Sequence, residues 1–166
     1  MSTAASGPSE SNNTALSRIA LHRLTKELNE WLVKSPVPGM SVQVDNDRMN
    51  EWYISIRGAE NTVYYGEEYT LRFLFPYDYP IEPPEVIFLT PTPQHAHVYT
   101  NGHICLNVLY DGWSPALTVT AICLSILSML SSATEKSVPP DNDTYVKNCK
   151  GRSPKKTRWR FHDDGV

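Results

Sequence analysis

The stretch HAHVYTNGHICL, residues 95 to 106, gathers His95, His97, His103 and Cys105 into one short run. Two kinds of chemistry are open to them. Their four donor atoms are of the types that tetrahedral zinc takes. Alternatively, the sulfur of Cys105 is a nucleophile and the histidines only shape the loop around it. The spacing disfavours the metal: the pairs are H-x-H and H-x-C, without the two-residue gaps of a zinc knuckle, and no C-x-x-C lies nearby. His95 and His103 read instead as loop or surface residues that hydrogen-bond the backbone.

Cys105 also differs from Cys123. Cys123 sits in an apolar run and reads as a small buried hydrophobe. Cys105 is flanked by polar, turn-forming residues, TNGH before it and LNVLYDG after. Local spacing shows no Cys-His-Asn arrangement and announces no general base. A free thiol of pKa about 8.5 is only a few per cent thiolate at neutral pH. That is enough for exchange with a thioester, which arrives already activated. A lone loop cysteine therefore points to a carrier of acyl groups rather than to a hydrolase.

The elements that must position this loop are legible on either side of it. ALSRIALHRLTKELNEWLVK predicts a helix with Leu21, Leu24, Leu28, Trp31 and Leu32 facing the core and Arg18, His22, Arg23, Lys26 and Glu30 on the polar side. SPVPG stops it. The period then drops from 3.6 to 2. Val42 and Val44 form one strand face; Trp52, Ile54 and Ile56 form a second; Tyr69, Leu71, Phe73 and Phe75 form a third. EVIFLT is the fourth strand, preceded by the four prolines of PYDYPIEPP, which fit no central strand. The polar stretches between the first strands are short, so the four form an antiparallel meander. Residues 91–117 show no strong period, and a connection that long is functional more often than not. TVTAICLSILSMLSS then predicts a helix buried across the sheet, with Thr118 or Thr120 as its cap. The expected class is α+β.

Composition bounds the partners. The chain has 166 residues, 40% of them hydrophobic, which suits one globular domain. Residues 1–15 read as a disordered leader, 16–148 as the core domain and 149–166 as a basic, flexible tail. Seven of the fifteen Lys and Arg residues fall between Lys147 and Arg160. This run is either a solvated tail or a docking segment for an acidic partner. A net charge of −3 argues against nucleic acid as a partner. No apolar run reaches the roughly 18 residues of a membrane span, so no membrane is expected. Three irregularly spaced cysteines make no disulfide framework, which places the chain in a reducing compartment, cytosol or nucleus.

HxHxYxNGHICLxxLxxxWSPAL, from His95 to Leu117, resembles the active-site signature of the ubiquitin-conjugating enzymes. HRLTKEL in the first helix, YPIEPPEV before the loop and the apolar helix after it extend the resemblance over roughly residues 16 to 140. It implies the fold of that family, with the first helix, the meander, the long active-site loop, the central helix and an irregular C-terminal region. It implies that Cys105 accepts the ubiquitin C-terminus from the activating enzyme as a thioester and hands it to an amine, with no cofactor and no metal. A ubiquitin ligase of the RING or U-box type would dock on Arg23, Lys26, Ile81, Pro115 and Ala116. The activating enzyme would use the same helix face, so the two visits exclude each other. Ile81 stands where many members carry phenylalanine.

The departures from the family pattern carry more information. The family's His-Pro-Asn triplet is HAH here, with Ala96 for proline and His97 for the asparagine that supports the oxyanion or the loop. Asn107 replaces an aspartate at the acceptor pocket, and Ser137 falls where another acid often gates it. Histidine at that position, and the PPDN…PKKTRW C-terminus, resemble the W-type branch of the family, which modifies protein N-termini. The chemistry is coherent. An α-amine of pKa about 7.8 is, at neutral pH, roughly 400 times more abundant as free base than a lysine amine of pKa about 10.4. Less acidic machinery is then needed to activate it. The expected substrates are proteins with flexible N-termini. A lysine-directed enzyme with a drifted loop is the main rival, followed by a zinc-binding module and by a non-catalytic ubiquitin-binding variant, a kind that lacks the cysteine.

Overall fold

The computed structural model describes residues 15–161, so nearly all of the expected leader, and residues 162–166, lie outside the described residues. Helix α1 spans Arg18–Lys34. Ser17 caps it, its hydroxyl oxygen accepting from the Ala20 amide at 3.0 Å, as a short polar residue does at this position. It ends where Ser35 adopts φ 41° and donates its amide to the Trp31 carbonyl; the Pro36 that follows has no amide to continue the ladder.

The buried face of α1 overlaps the predicted one at Leu24 and Trp31, with Leu28 packed at its edge, but is turned away from Leu21 and Leu32. Ala20, Leu24, Glu27 and Trp31 are buried, while Leu21 and Leu32 are 45% and 67% exposed. Counting leucines shifts the stripe toward Leu21 and Leu32 because its other edge is made of Ala20 and a glutamate. Glu27 is buried with three donors. Its Oε2 accepts from the Tyr79 hydroxyl at 2.7 Å and from Arg23 Nε at 3.2 Å, and its Oε1 from the Val119 amide at 2.7 Å. An unpaired carboxylate in this place would cost several kcal/mol, of order 3–5. Paired, it ties α1 to the proline-rich segment and to the start of the second helix.

Strands β1 (Ser41–Val44), β2 (Glu51–Arg57), β3 (Glu68–Leu74) and β4 (Glu85–Phe88) form one antiparallel sheet in sequence order, the expected meander. The register aligns Val42, Ile54, Leu71 and Phe88 in one row and Trp52, Phe73 and Val86 in the next. Period-two alternation puts these on the core face, and burying each large side chain contributes about 2 kcal/mol.

Helix α2 (Val119–Ser131) is capped by Thr118, whose hydroxyl oxygen accepts from the Ala121 amide at 3.1 Å. It buries Val119, Ile122, Cys123, Ile126 and Leu130 in the same core as the sheet residues. It is not enclosed on every side as expected, since Leu124 is 48% exposed. Among the described residues no helix is long and apolar enough to cross a membrane.

The C-terminal region is less irregular than expected. Asn142–Cys149 form a third helix, α3, and a single 3₁₀ turn follows at Pro154–Lys156. The basic stretch does not project freely over the described residues. Lys155 pairs with Glu82 at 3.3 Å and donates to the Pro83 carbonyl at 2.8 Å, and Trp159 stacks on Tyr110 with ring centroids 4.9 Å apart. These contacts pack the described part of the expected tail, up to residue 161, against the core domain.

Candidate active site

The long connection between β4 and α2 has no regular period, yet it is held at nearly every turn. His95 starts the chain of contacts. Its Nδ1 accepts from the His97 amide at 2.9 Å, so its Nε2 carries the proton and donates to the Met129 carbonyl of α2 at 3.0 Å. Burial lowers its pKa, in keeping with a neutral ring. The His97 carbonyl in turn accepts from the Cys105 amide at 2.8 Å. One buried histidine therefore links α2 to the backbone of the nucleophile. His95 bonds the backbone as the sequence suggested, but in the interior rather than at the surface.

A tight turn joins His97 to Cys105. Tyr99 donates its amide to the His103 carbonyl and Gly102 donates to Tyr99, both at 2.9 Å. The Gly102 carbonyl accepts from the Phe88 amide, pinning the turn to β4. Gly102 has φ 90°, and a Cβ there would lie 2.0 Å from the Phe88 carbonyl oxygen, so only glycine fits.

Cys105 emerges from this turn half-buried. Burial, and secondly the charge of Asp141, push its thiol above the ordinary range. At neutral pH it rests as the protonated thiol, and attack on an activated thioester proceeds through its small thiolate fraction. Asp141 accepts from the Tyr99 hydroxyl at 3.0 Å. Sequence reasoning did not single out this acid; Ser137, which it set at the gate of the pocket, lies four residues earlier and is partly buried. The available signal was an aspartate immediately before a helix, the residue type that favours helix starts.

His97 and Asn107 are both exposed. The His97 ring lies beside His95, centroids 5.5 Å apart. Asn107 opens a 3₁₀ turn and its carbonyl accepts from the Tyr110 and Gly112 amides. His103 turns away from the thiol: its Nδ1 lies 2.7 Å from the Tyr145 hydroxyl of α3, and burial lowers its pKa. The four donors proposed for zinc thus point to different partners, and among the described residues no three His, Cys, Asp or Glu gather as a metal requires.

α3 closes over the turn from outside. Tyr145 stacks on Tyr99 at 3.9 Å, and the buried Asn142 accepts from the Thr100 amide at 2.9 Å.

The five residues expected to meet a ligase divide into two groups. Lys26, Ile81, Pro115 and Ala116 are exposed, Ile81 at 70%. Arg23 is engaged inside the molecule: Nη1 donates to the Pro115 carbonyl at 3.0 Å and Nη2 to Leu117 at 2.9 Å. It therefore places the Pro115 loop against α1. Trp113 Nε1 donates to the Pro80 carbonyl at 2.9 Å, tying the Ile81 loop to the same unit.

Residues 23–163 match the family described as "Ubiquitin-conjugating enzyme". The chain is 54% identical over 165 residues to "Ubiquitin-conjugating enzyme 15" of Arabidopsis thaliana, covering 99% of each protein. It is 51% identical to the "Probable ubiquitin-conjugating enzyme E2 W" of Dictyostelium discoideum over 87% of this chain and 95% of that one. Among solved structures, the ubiquitin conjugating enzyme E2 UbcA1 of Agrocybe aegerita superposes with a TM-score of 0.75 at 42% identity, covering 80% of this chain and 96% of the other.

Proposed function

The chain belongs to the ubiquitin-conjugating enzymes, a family of transferases that work with ubiquitin, an activating enzyme and ligases, and from that premise we propose that Cys105 is its acyl carrier and that the acceptor is the α-amine of a protein N-terminus. In the loading step the Cys105 thiolate attacks the thioester carbonyl of ubiquitin carried by the activating enzyme. The new C–S bond forms as the old one breaks, and the departing thiolate of the activating enzyme takes up a proton. In the transfer step a neutral α-amine attacks the Cys105 thioester. The C–S bond breaks, an amide forms, and the proton lost by nitrogen returns sulfur to the thiol.

One observation carries the reading: Cys105 is a half-buried thiol whose own amide is held by the His97 carbonyl, and among the described residues no strong base is bonded to it. Such a group exchanges thioesters but does not hydrolyse amides. The α-amine preference rests on Asn107, a neutral residue two positions beyond the thiol, and on His97 at the position of the family's asparagine. The neighbouring Asp141 already accepts a hydrogen bond from Tyr99. An acceptor that is largely free base at neutral pH needs little more from the enzyme. His97 holds the loop through its backbone carbonyl. The ligase, of RING or U-box type, docks on Lys26, Ile81, Pro115 and Ala116, and the protein works in cytosol or nucleus on substrates with flexible N-termini.

Incubation with activating enzyme, ATP and ubiquitin should give an adduct cleaved by reductant, and Cys105→Ser at most a reductant-resistant oxyester. Lysine-containing peptides with a free or an acetylated N-terminus then separate the acceptors. Modification of the free peptide alone is expected; equal modification of both would overturn the α-amine assignment and leave the thioester chemistry standing.

A further inference from the structure

The peptide bond between Ile104 and Cys105 has both of its polar atoms tied to side structures of different origin. Its N–H donates to the His97 carbonyl at 2.8 Å, the branch that leads through His95 to α2. Its C=O accepts from the Tyr110 hydroxyl at 2.7 Å. Tyr110 lies five residues after the cysteine and is itself sandwiched into the C-terminal segment: its ring stacks on Trp159 at 4.9 Å and 25°, and on Phe161 at 6.2 Å and 21°.

We propose that Tyr110 is a positioning residue for the nucleophile, transmitting the seating of the C-terminal aromatic segment to the orientation of Cys105 through its hydrogen bond to Ile104. The inference rests on Cys105 being the thioester residue. Rotation of the Ile104–Cys105 peptide plane swings the Cys105 side chain, and two hydrogen bonds on opposite ends of the plane prevent that rotation. The His95 branch is anchored in the core. The Tyr110 ring packs partly against the core and otherwise stacks on residues 159–161, a segment held by the Lys155 contacts to Glu82 and Pro83 and by Trp159 against Tyr145. The C-terminal segment is thus the adjustable side of the clamp: seated, it holds the sulfur in its half-buried position, and displaced, it frees one end of the peptide.

The full-length chain tests this with Tyr110→Phe, which keeps the stack and removes only the hydroxyl, Trp159→Ala, which removes the stack and keeps the hydroxyl, and the double variant. Two readouts are taken. The first is the pH profile of Cys105 alkylation, followed on the Cys105 peptide by mass spectrometry, which needs no ubiquitin. The second is single-turnover discharge of the isolated ubiquitin thioester to a small amine. Tyr110→Phe is expected to lower the midpoint of the alkylation profile, as the thiol gains solvent, and to slow discharge about fivefold, the worth of roughly one hydrogen bond. Trp159→Ala should do the same, Trp159→Phe should recover native behaviour, and the double variant should be no worse than either single change because both act on one bond. A Tyr110→Phe variant that matches the native chain in both readouts overturns the proposal, as do losses that multiply in the double variant. Failure of the native chain to charge at all would instead remove the role of Cys105 as carrier, and the alkylation comparison would still report whether the clamp exists.

Discussion

Glu27 and Gly102 show how far single residues reach in this molecule. Glu27→Gln keeps the shape but replaces one carboxylate oxygen by an NH2 group, which cannot accept, so either the Tyr79 and Arg23 donors or the Val119 amide lose their partner. A loss of about 2–3 kcal/mol is expected, read as a lower urea midpoint at unchanged slope. Gly102→Ala introduces a Cβ against the Phe88 carbonyl at a backbone angle other residues avoid. It should cost about 3 kcal/mol or more and abolish charging by moving the turn that leads into Cys105. An Ala variant with native melting and native charging would show that the turn does not position the thiol. The sequence announced Cys105 by type and neighbourhood, and the TNGH before it as a turn. It did not announce Glu27, because a buried acid looks like any surface glutamate until its donors, from residues 23, 79 and 119, are brought together by the fold.

At the scale of elements, α1 and the loops at residues 76–84 and 113–117 form one unit through Arg23 and Trp113. Lys26→Ala, on the exposed side of α1, should leave stability unchanged and lower only ligase-stimulated discharge. Arg23→Ala should lower both, with a stability loss of about 2 kcal/mol from the carbonyl and Glu27 bonds. Measuring urea midpoints beside discharge separates the two; a purely surface role for Arg23 predicts no change of midpoint. The strands and both long helices were legible because hydrophobic period is strong where a sheet buries one face. α3 was not, since NDTYVKNC has no apolar stripe and is held by contacts distant in sequence, Tyr145 on Tyr99 and Asn142 on Thr100. The register of the loop was hidden for the same reason: its hydrogen bonds run to α2, β4 and α3, and leave no periodic trace.

For the whole molecule, the two buried histidines set the response to acid. Burial holds both His95 and His103 below the ordinary imidazole value of 6.5. The unfolded chain therefore binds their protons at higher pH than the folded chain does. Stability is full above about 6.5 and is lost as pH falls through the lowered folded values. Urea midpoints should drop between pH 7.5 and 5.5, and His103→Gln should flatten that drop; a flat native profile would show that neither ring is held neutral by folding. Protonating His95 also removes the acceptor of the His97 amide, so charging should fall over the same range.

The bond from the Cys105 amide to the His97 carbonyl has one more consequence. Deuterium should enter the unbonded amides of residues 89–117 quickly, yet the amide hydrogen of Cys105 can leave only when the reactive centre springs open. Its exchange rate is therefore a direct gauge of how often that centre comes apart in the resting protein.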